Sequence, residues 1–328
     1  MTAAVVEGLG TALPPRRVTN DDLAQVLDTS DEWIRTRTGI VARRMVDDGV
    51  VTGDLAVEAG ERALKSAGGQ GADAVIVATT TPDQPLPNTA AGVAERLRLA
   101  PAAALDLNTA CAGFPYALAT GAGLLTAGAA SRVLVIGAET LTRFLDPGDR
   151  STAVLFGDGA GALVLRLGDA DDPGAVGPFD LGSDGSAAEI LTLSAGGSRL
   201  PPHRDDLADD DKYLKMDGRE VYRHAVRRMA ESLEALAQRA GLDVADLDGV
   251  YAHQANSRII EAVADRLGLP RERCPVTIAE HANTSAASIP LALAAAPPRP
   301  GDRVALVAFG GGLAWGSALV RWPEVTPG

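Results

Sequence analysis

Three residue types in this chain carry chemistry in their surroundings. Cys111 lies in DLNTACAGF (106–114), where a strand-like ALDL gives way to small residues and a helix begins. A thiol at a helix start feels the partial positive charge of unpaired backbone N–H groups, which lowers its pKa and favours the nucleophilic thiolate. The plainer alternative is a small buried thiol serving only the core. His253, in YAHQAN, closes a strand, and ligands enter open α/β sheets at strand ends. Asn283, in HANTSAAS, is either a helix cap or a donor for something bound. His281 is a second candidate base, placed below His253 for its charged neighbour Glu280 and its loop position. The run FGGG, Phe309–Gly312, follows the strand VALVA, and glycine there lets backbone N–H groups approach a ligand.

The elements that must position these residues repeat. The run from Asp73 to Leu99 and the run from Asp248 to Leu269 share an apolar strand, a loop and a helix carrying VAxRLxL. Next, NTACAGFPYAL from Asn108 answers NTSAASIPLAL from Asn283, and RVLVIGAE from Arg132 answers RVALVAFGG from Arg303. The offset holds at about 170–175 residues, which signals a duplicated α/β unit rather than a solenoid. Each half alternates short β-rich runs with Ala/Leu-rich helices, predicting mainly parallel sheets covered by helices. The Gly/Pro/Asp-rich stretch from Gly168 is the natural joint, dividing the chain into halves 1–170 and 171–328. The first half holds Cys111; the second holds His253, Asn283 and the glycine run. The polar, proline-bearing segment from Ser198 reads as a surface flap.

Composition narrows the classes. Across 328 residues, 46% are apolar and 22% charged, which describes a soluble globular protein with a large core. The net charge of −13 argues against a nucleic-acid partner. No run is long enough to cross a membrane, and the first residues lack the basic n-region of a signal peptide. Two cysteines cannot form a disulfide framework, so a reducing cytoplasm is expected. FGDGAGALVL, from Phe156, lacks the spacing and the lysine of a nucleotide-binding loop, and no cluster has metal-ligand spacing.

Together, TACAGF, HQANxRII, NTSAASIP and FGGGxxWGSALVRW resemble the β-ketoacyl-acyl carrier protein synthase III family of thiolase-fold condensing enzymes. The stretches TSDEWIRTRTGI from Thr29 and DPGDRSTAVLFGDGAGA from Asp146 agree, so the resemblance runs from about Val6 to Trp322. It implies a thiolase-like α/β fold whose duplicated halves stack as five layers, αβαβα. It further implies decarboxylative condensation of an acyl-CoA starter with malonyl-acyl carrier protein, initiating fatty-acid or polyketide synthesis. Cys111 would carry the acyl group. His253 and Asn283 would hydrogen-bond the extender's thioester carbonyl, stabilising the enolate formed as carbon dioxide leaves. The N–H groups of Cys111 and Gly311 would form the oxyanion hole. Trp33, Arg37 and Arg150 match positions that hold the CoA nucleotide, and Arg258 the tunnel mouth where a carrier protein docks. Leu86 and Phe309 would border the acyl pocket. The resemblance implies a homodimer; no cofactor or metal is called for, with acyl-CoA and malonyl-acyl carrier protein as substrates.

The sequence departs from the family pattern at a few places. Ala282 stands where a glycine is usual, the helix after NTSAASIPLAL is short, and Asp265 replaces a basic residue of the docking patch. Arg266 and the group Arg223, Arg227 and Arg228 remain basic there. Leu86 stands where many relatives carry an aromatic that reaches across the dimer, leaving room for a longer or branched starter. Relatives on the same scaffold pass the acyl group to oxygen or nitrogen acceptors without decarboxylation. Retention of both His253 and Asn283 favours condensation. A cysteine hydrolase shares the chain order Cys, His, Asn but not this half-chain repeat.

Overall fold

The structure, a computed structural model, describes residues 2–328. Its strands are β1 (Thr2–Ala12), β2 (Arg17–Thr19), β3 (Ala42–Arg44), β4 (Ala74–Ala78), β5 (Ala103–Leu107), β6 (Arg132–Glu139) and β7 (Gly159–Asp169). There follow β8 (Ala175–Ser183), β9 (Leu191–Leu193), β10 (Leu214–Met216), β11 (Gly249–Ala252), β12 (Arg303–Gly310) and β13 (Ala314–Arg321). Nine of them join in the order β11-β12-β13-β8-β1-β7-β6-β4-β5. The two halves are visible in that order, because β4-β6-β7-β1 and β11-β12-β13-β8 are the same arrangement. They meet where β1 pairs with β8 through only Ala4–Val176 and Val5–Ala175.

The expectation of mainly parallel sheets needs correction, because each half is mixed. β4 runs parallel to β5 and β6, and β11 to β12. The pairs β6–β7, β1–β7, β12–β13 and β13–β8 are antiparallel. Only Gly311, Gly312 and Leu313 separate β12 from β13. A parallel crossover needs a dozen or more residues, so that connection must be a hairpin.

Side-chain alternation builds the layers. Along β6, Val133 and Val135 face one apolar cluster, while Leu134, Ile136 and Ala138 face another. Along β12, Val304, Leu306 and Ala308 join the first of these, and Ala305, Val307 and Phe309 a third. Both faces are thus buried, which is why these strands read as continuous apolar runs. The shared cluster is central. It holds the helices Gly113–Thr126 and Ser288–Ala295, one from each half, through Phe114, Leu118, Ile289 and Leu293. Helix Thr52–Ser66 covers the outer face of one half, and helices Gly218–Ala240 and Ser257–Leu267 that of the other. Helix, sheet, helix, sheet, helix is the five-layered thiolase-like arrangement. Truncating a side chain as enclosed as Phe114 would cost about 3–5 kcal/mol. Residues 198–208 form an irregular, largely exposed segment before β10, as a surface flap should.

Candidate active site

The two central helices begin at matching turns, and their backbones share unusual features. Ala110, before Cys111, has φ 48°, and Ser285, before Ala286, has the same φ 48°. The side chain of Asn108 accepts the Ala110 N–H at 3.1 Å, and that of Asn283 accepts the Ser285 N–H at 2.9 Å. A left-handed residue at each turn throws the next side chain outward, at a cost of about 1–3 kcal/mol. In one copy that side chain is Cys111; in the other it is Ala286.

Cys111, His253 and Asn283 all border one cavity of about 450 Å³, whose apolar wall includes Leu155, Phe156, Met229 and Phe309. His253 continues from β11, its N–H donating to Val307 at 2.8 Å, and it is 2% exposed. Its Nδ1 lies 2.6 Å from the Ser288 hydroxyl, which also receives the Gln254 N–H at 3.3 Å. A Ser288 hydroxyl that donates to Nδ1 holds the ring in the tautomer whose Nε2 carries the proton and can donate. Burial drives the His253 pKa down to about 3, so the ring is neutral at any working pH. Asn283 donates its backbone N–H to Leu155 and accepts from Gly157, while its side-chain oxygen is taken by Ser285. Its Nδ2 is the group left to face the cavity. Ala282, at φ 56° and ψ −160°, occupies backbone space that suits glycine, which accounts for the glycine usual there.

The thiol corrects a sequence expectation. Cys111 is 8% exposed, and burial pushes its pKa up to about 12, with the Glu139 charge adding to the rise. Desolvation outweighs whatever the helix start contributes, so the resting residue is a thiol and not a thiolate.

The glycine run reaches the cysteine as expected, though through a different residue. Gly310 lines the cavity, and a Cβ on it would stand 2.6 Å from the Cys111 amide nitrogen. Gly311 does not line the cavity; a Cβ there would face Leu191. Its N–H, however, belongs to the peptide plane that starts at the Gly310 carbonyl.

At the mouth, the guanidinium carbons of Arg37 and Arg150 lie 4.5 and 5.0 Å from the Trp33 ring centre, and Trp33 and Arg37 line the cavity. Arg150 stays outside the lining and donates to the Asp28 carbonyl. Arg258 lines the mouth and lies 6.0 Å from the ring of Tyr222, which sequence reasoning missed. Leu86 is elsewhere: it is 86% exposed after β4 and touches no part of this chain's cavity. His281 also lies apart, half-buried at the end of helix Ile278–His281. Of the arginines read as a basic group, Arg228 turns inward, stacking on Trp315 at 4.3 Å and pairing with Asp184 and Glu231. Asp265 pairs with Arg271 at 2.9 Å. Ser288, Ser285 and Glu139 support the site without any local sequence signal.

Two stacked mixed sheets with paired central helices, one of which begins at a cysteine, define a thiolase-like condensing-enzyme scaffold. Two family profiles match, 3-oxoacyl-[acyl-carrier-protein] synthase III over residues 105–185 and its C-terminal counterpart over 237–322. The chain is 56% identical over 333 residues to β-ketoacyl-[acyl-carrier-protein] synthase III 3 of Streptomyces coelicolor, covering 99% of each. It is similar to the crystal structure of 3-oxoacyl-(acyl carrier protein) synthase III from Pseudomonas aeruginosa, with TM-score 0.93 and 47% identity over 99% of this chain and 100% of that one. It is also similar to the priming β-ketosynthase of a polyketide biosynthetic pathway, with TM-score 0.88 and 35% identity over 98% and 96% of the two chains. The chain belongs to the β-ketoacyl-acyl carrier protein synthase III family. No helix among the described residues is long and apolar enough to cross a membrane.

Proposed function

We propose that this protein condenses an acyl-CoA starter with malonyl-acyl carrier protein, losing carbon dioxide and giving a 3-oxoacyl-acyl carrier protein. The observation that carries this is the convergence of Cys111, a neutral His253 and the free Asn283 amide on one cavity. In the first half-reaction Cys111 receives the acyl group and CoA leaves. In the second, decarboxylation of the malonyl group generates an enolate at its thioester carbonyl. Two neutral donors, His253 Nε2–H and Asn283 Nδ2–H, suit that developing oxyanion. A strong base would add nothing, since the departing carbon dioxide leaves its electron pair behind. The enolate carbon then attacks the acyl-cysteine. The oxyanion of each tetrahedral intermediate is assigned to the N–H groups of Cys111 and Gly311; losing one such donor typically costs about 3–4 kcal/mol in barrier.

Trp33 with Arg37 and Arg150 is assigned to the CoA nucleotide, by stacking and by phosphate contact. Arg258 is assigned to the carrier's docking edge. Phe309 closes one wall of the acyl pocket, and Leu86 is read as serving a second copy's pocket. The homodimer this requires has β5, at one edge of the nine-stranded sheet, free to meet a partner. A cytoplasmic location rests on two unpaired thiols, Cys111 and Cys274. No cofactor or metal enters this scheme.

Intact-protein mass after incubation with a panel of acyl-CoAs, followed by a malonyl-carrier chase, tests the reading. Condensation requires an adduct on Cys111 that the malonyl carrier discharges with release of carbon dioxide. An adduct that survives the carrier and yields to an alcohol or amine overturns it in favour of simple acyl transfer.

A further inference from the structure

A buried carboxylate behind the nucleophile has no part in the scheme above. β6 ends on Glu139, which is 0% exposed. Its oxygens accept the hydroxyls of Thr81 at 2.7 Å, Thr80 at 2.9 Å and Thr79 at 3.3 Å, and the Thr80 N–H at 3.1 Å. The remaining donor is the Ser285 hydroxyl at 3.0 Å, arriving from the opposite half of the molecule. All these donors are neutral, and among the described residues no basic side chain helps to hold the charge. A structural carboxylate at such depth is normally paired with a cation.

Ser285 has a second neighbour: its side chain also hydrogen-bonds the Cys111 sulfur. A hydroxyl that donates to Glu139 keeps lone pairs with which to accept from sulfur. Cys111, Ser285 and Glu139 therefore form a chain that starts at the cavity wall and continues through two residues that do not line it. Matching strand ends explain how the chain arises. β6 and β12 are both eight residues long, so Glu139 occupies the place in its half that Gly310 occupies in the other. Gly310 packs against the turn that presents Cys111, while Glu139 reaches the turn that carries Ser285.

We propose that Ser285 passes the Cys111 thiol proton to Glu139 as the acyl group arrives, and that Glu139 stores it until condensation frees the sulfur. The proposal rests on the acylation of Cys111 argued above. In acylation the S–H bond breaks as the S–C bond forms; the sulfur proton moves to Ser285 Oγ, and the Ser285 proton to Glu139 Oε1. The C–S bond to CoA then breaks, and the CoA thiolate leaves with that electron pair and takes a proton from water at the mouth. In condensation the acyl-cysteine C–S bond breaks, its electron pair returns to sulfur, and the stored proton comes back through Ser285. Each transfer moves a negative charge between adjacent groups and never creates a second one inside the protein, which is the costly alternative.

Charge and burial support this direction. Burial lifts Glu139 to about 7, within reach of a proton at working pH, while its charge opposes ionisation of Cys111. Taking up the proton removes that opposition. Thr79, Thr80, Thr81 and Ser285 are the polar groups that bond Glu139, and Cys111 is the titratable group that feels its charge.

Wild type, Glu139→Gln and Ser285→Ala separate a relay from mere packing. Alanine at 285 is sterically safe, because Ala110 already holds φ 48° at the matching turn. Each protein is assayed from pH 5.5 to 9 for acylation of Cys111 by acetyl-CoA or 2-methylpropanoyl-CoA, whichever labels wild type, and for alkylation of Cys111 by iodoacetamide. The expected result is a wild-type rate that rises through pH ~7, with both variants about 10²-fold slower on the plateau and without that inflection. Variants that react at the wild-type rate, or more slowly with the inflection intact, overturn the relay. If no acyl-CoA labels wild type while iodoacetamide shows the Glu139-dependent inflection, the relay stands and the acylation reading falls.

Discussion

Gly310→Ala tests how closely the glycine hairpin must approach the nucleophile. The new Cβ would lie 2.6 Å from the Cys111 nitrogen, 3.0 Å from the Ala112 nitrogen and 3.1 Å from the Cys111 Cα. All three are backbone atoms, held between β12 and the central helix Gly113–Thr126, so no side chain can swing aside. Ordinary contact begins near 3.4 Å, so the turn and the strand end must separate by several tenths of an ångström. An N–H···O bond of about 2.9 Å stretched by that much is largely lost. The expected effect is that of deleting one oxyanion donor, roughly 10²–10³ in the rate of acylation. Overpacking should also lower stability by about 1–3 kcal/mol. Gly92→Ala, on helix Thr89–Arg96, is the control, since a Cβ there meets nothing within 4 Å. Acylation is followed by intact mass and stability by chemical denaturation. Gly310→Ala acylating within about threefold of wild type would refute the argument that this approach builds the oxyanion hole.

Other consequences follow from the same geometry. Ser288→Ala frees the His253 ring to adopt either tautomer, and should slow decarboxylation of malonyl-carrier about tenfold while leaving acylation of Cys111 intact; parallel assays of the two half-reactions check this. Because His253 is neutral in the folded protein down to about pH 3, the unfolded chain binds the extra proton below its ordinary value of 6.5. Stability should fall as pH drops from 6.5 toward 3, by about 1.4 kcal/mol per unit from this group, and His253→Gln should remove that slope in denaturation curves. Arg37→Ala should raise KM for acyl-CoA several-fold with little change in kcat, since Arg37 lies beside Trp33 and is assigned to the CoA nucleotide rather than to the reacting carbonyl. Leu86→Phe should narrow the range of acyl-CoAs that label Cys111, since this side chain, 86% exposed on its own chain, is read as entering a second copy's pocket.

Much of the site was legible because its chemistry resides in residue types that sequence displays. Cys111 before a helix, His253 after a strand and Asn283 at the matching turn could be singled out by local reading plus the half-chain repeat, and the family resemblance assigned their roles. What escaped depends on contacts between halves. Glu139 and Ser285 are separated by 146 residues, and β6 reads as an ordinary buried strand that happens to end in glutamate. The helix-start argument for Cys111 is local and predicted a lowered pKa, whereas burial is a property of the whole fold and reverses it. Arg228 read as part of a basic surface because nothing in its helix reveals the Trp315 ring that draws it inward. The parallel sheets were over-predicted for a subtler reason: only short helical turns, Leu141–Phe144 and Arg150–Ala153, separate β6 from β7, and no helix at all lies in the gaps β7 to β8 and β12 to β13. The second gap, three residues long, was visible in FGGGLAW.

Duplication explains why the divided site is workable. The turn is the inherited part, since φ 48°, the asparagine-to-backbone bond and a buried threonine hydroxyl without a partner, Thr109 or Thr284, occur in both copies. Chemistry was then distributed by what each copy faces. Asn108 is exposed and can do no more than hold its turn, while Asn283, 6% exposed, does the same and turns its amide to the cavity. Position 111 kept a nucleophile, and position 286 became an alanine that packs against the helix start, its Cβ 3.3 Å from where a Gly113 side chain would begin. The matching strand ends could not be exchanged. Glutamate in place of Gly310 would collide with the Cys111 amide, and glycine in place of Glu139 would leave the Ser285 hydroxyl and three threonines around an empty space. The asymmetry of the site is therefore fixed by sterics on one side and by hydrogen bonding on the other. That is why a symmetric fold holds one cysteine and one histidine–asparagine pair at the cavity instead of two half-equipped copies of each.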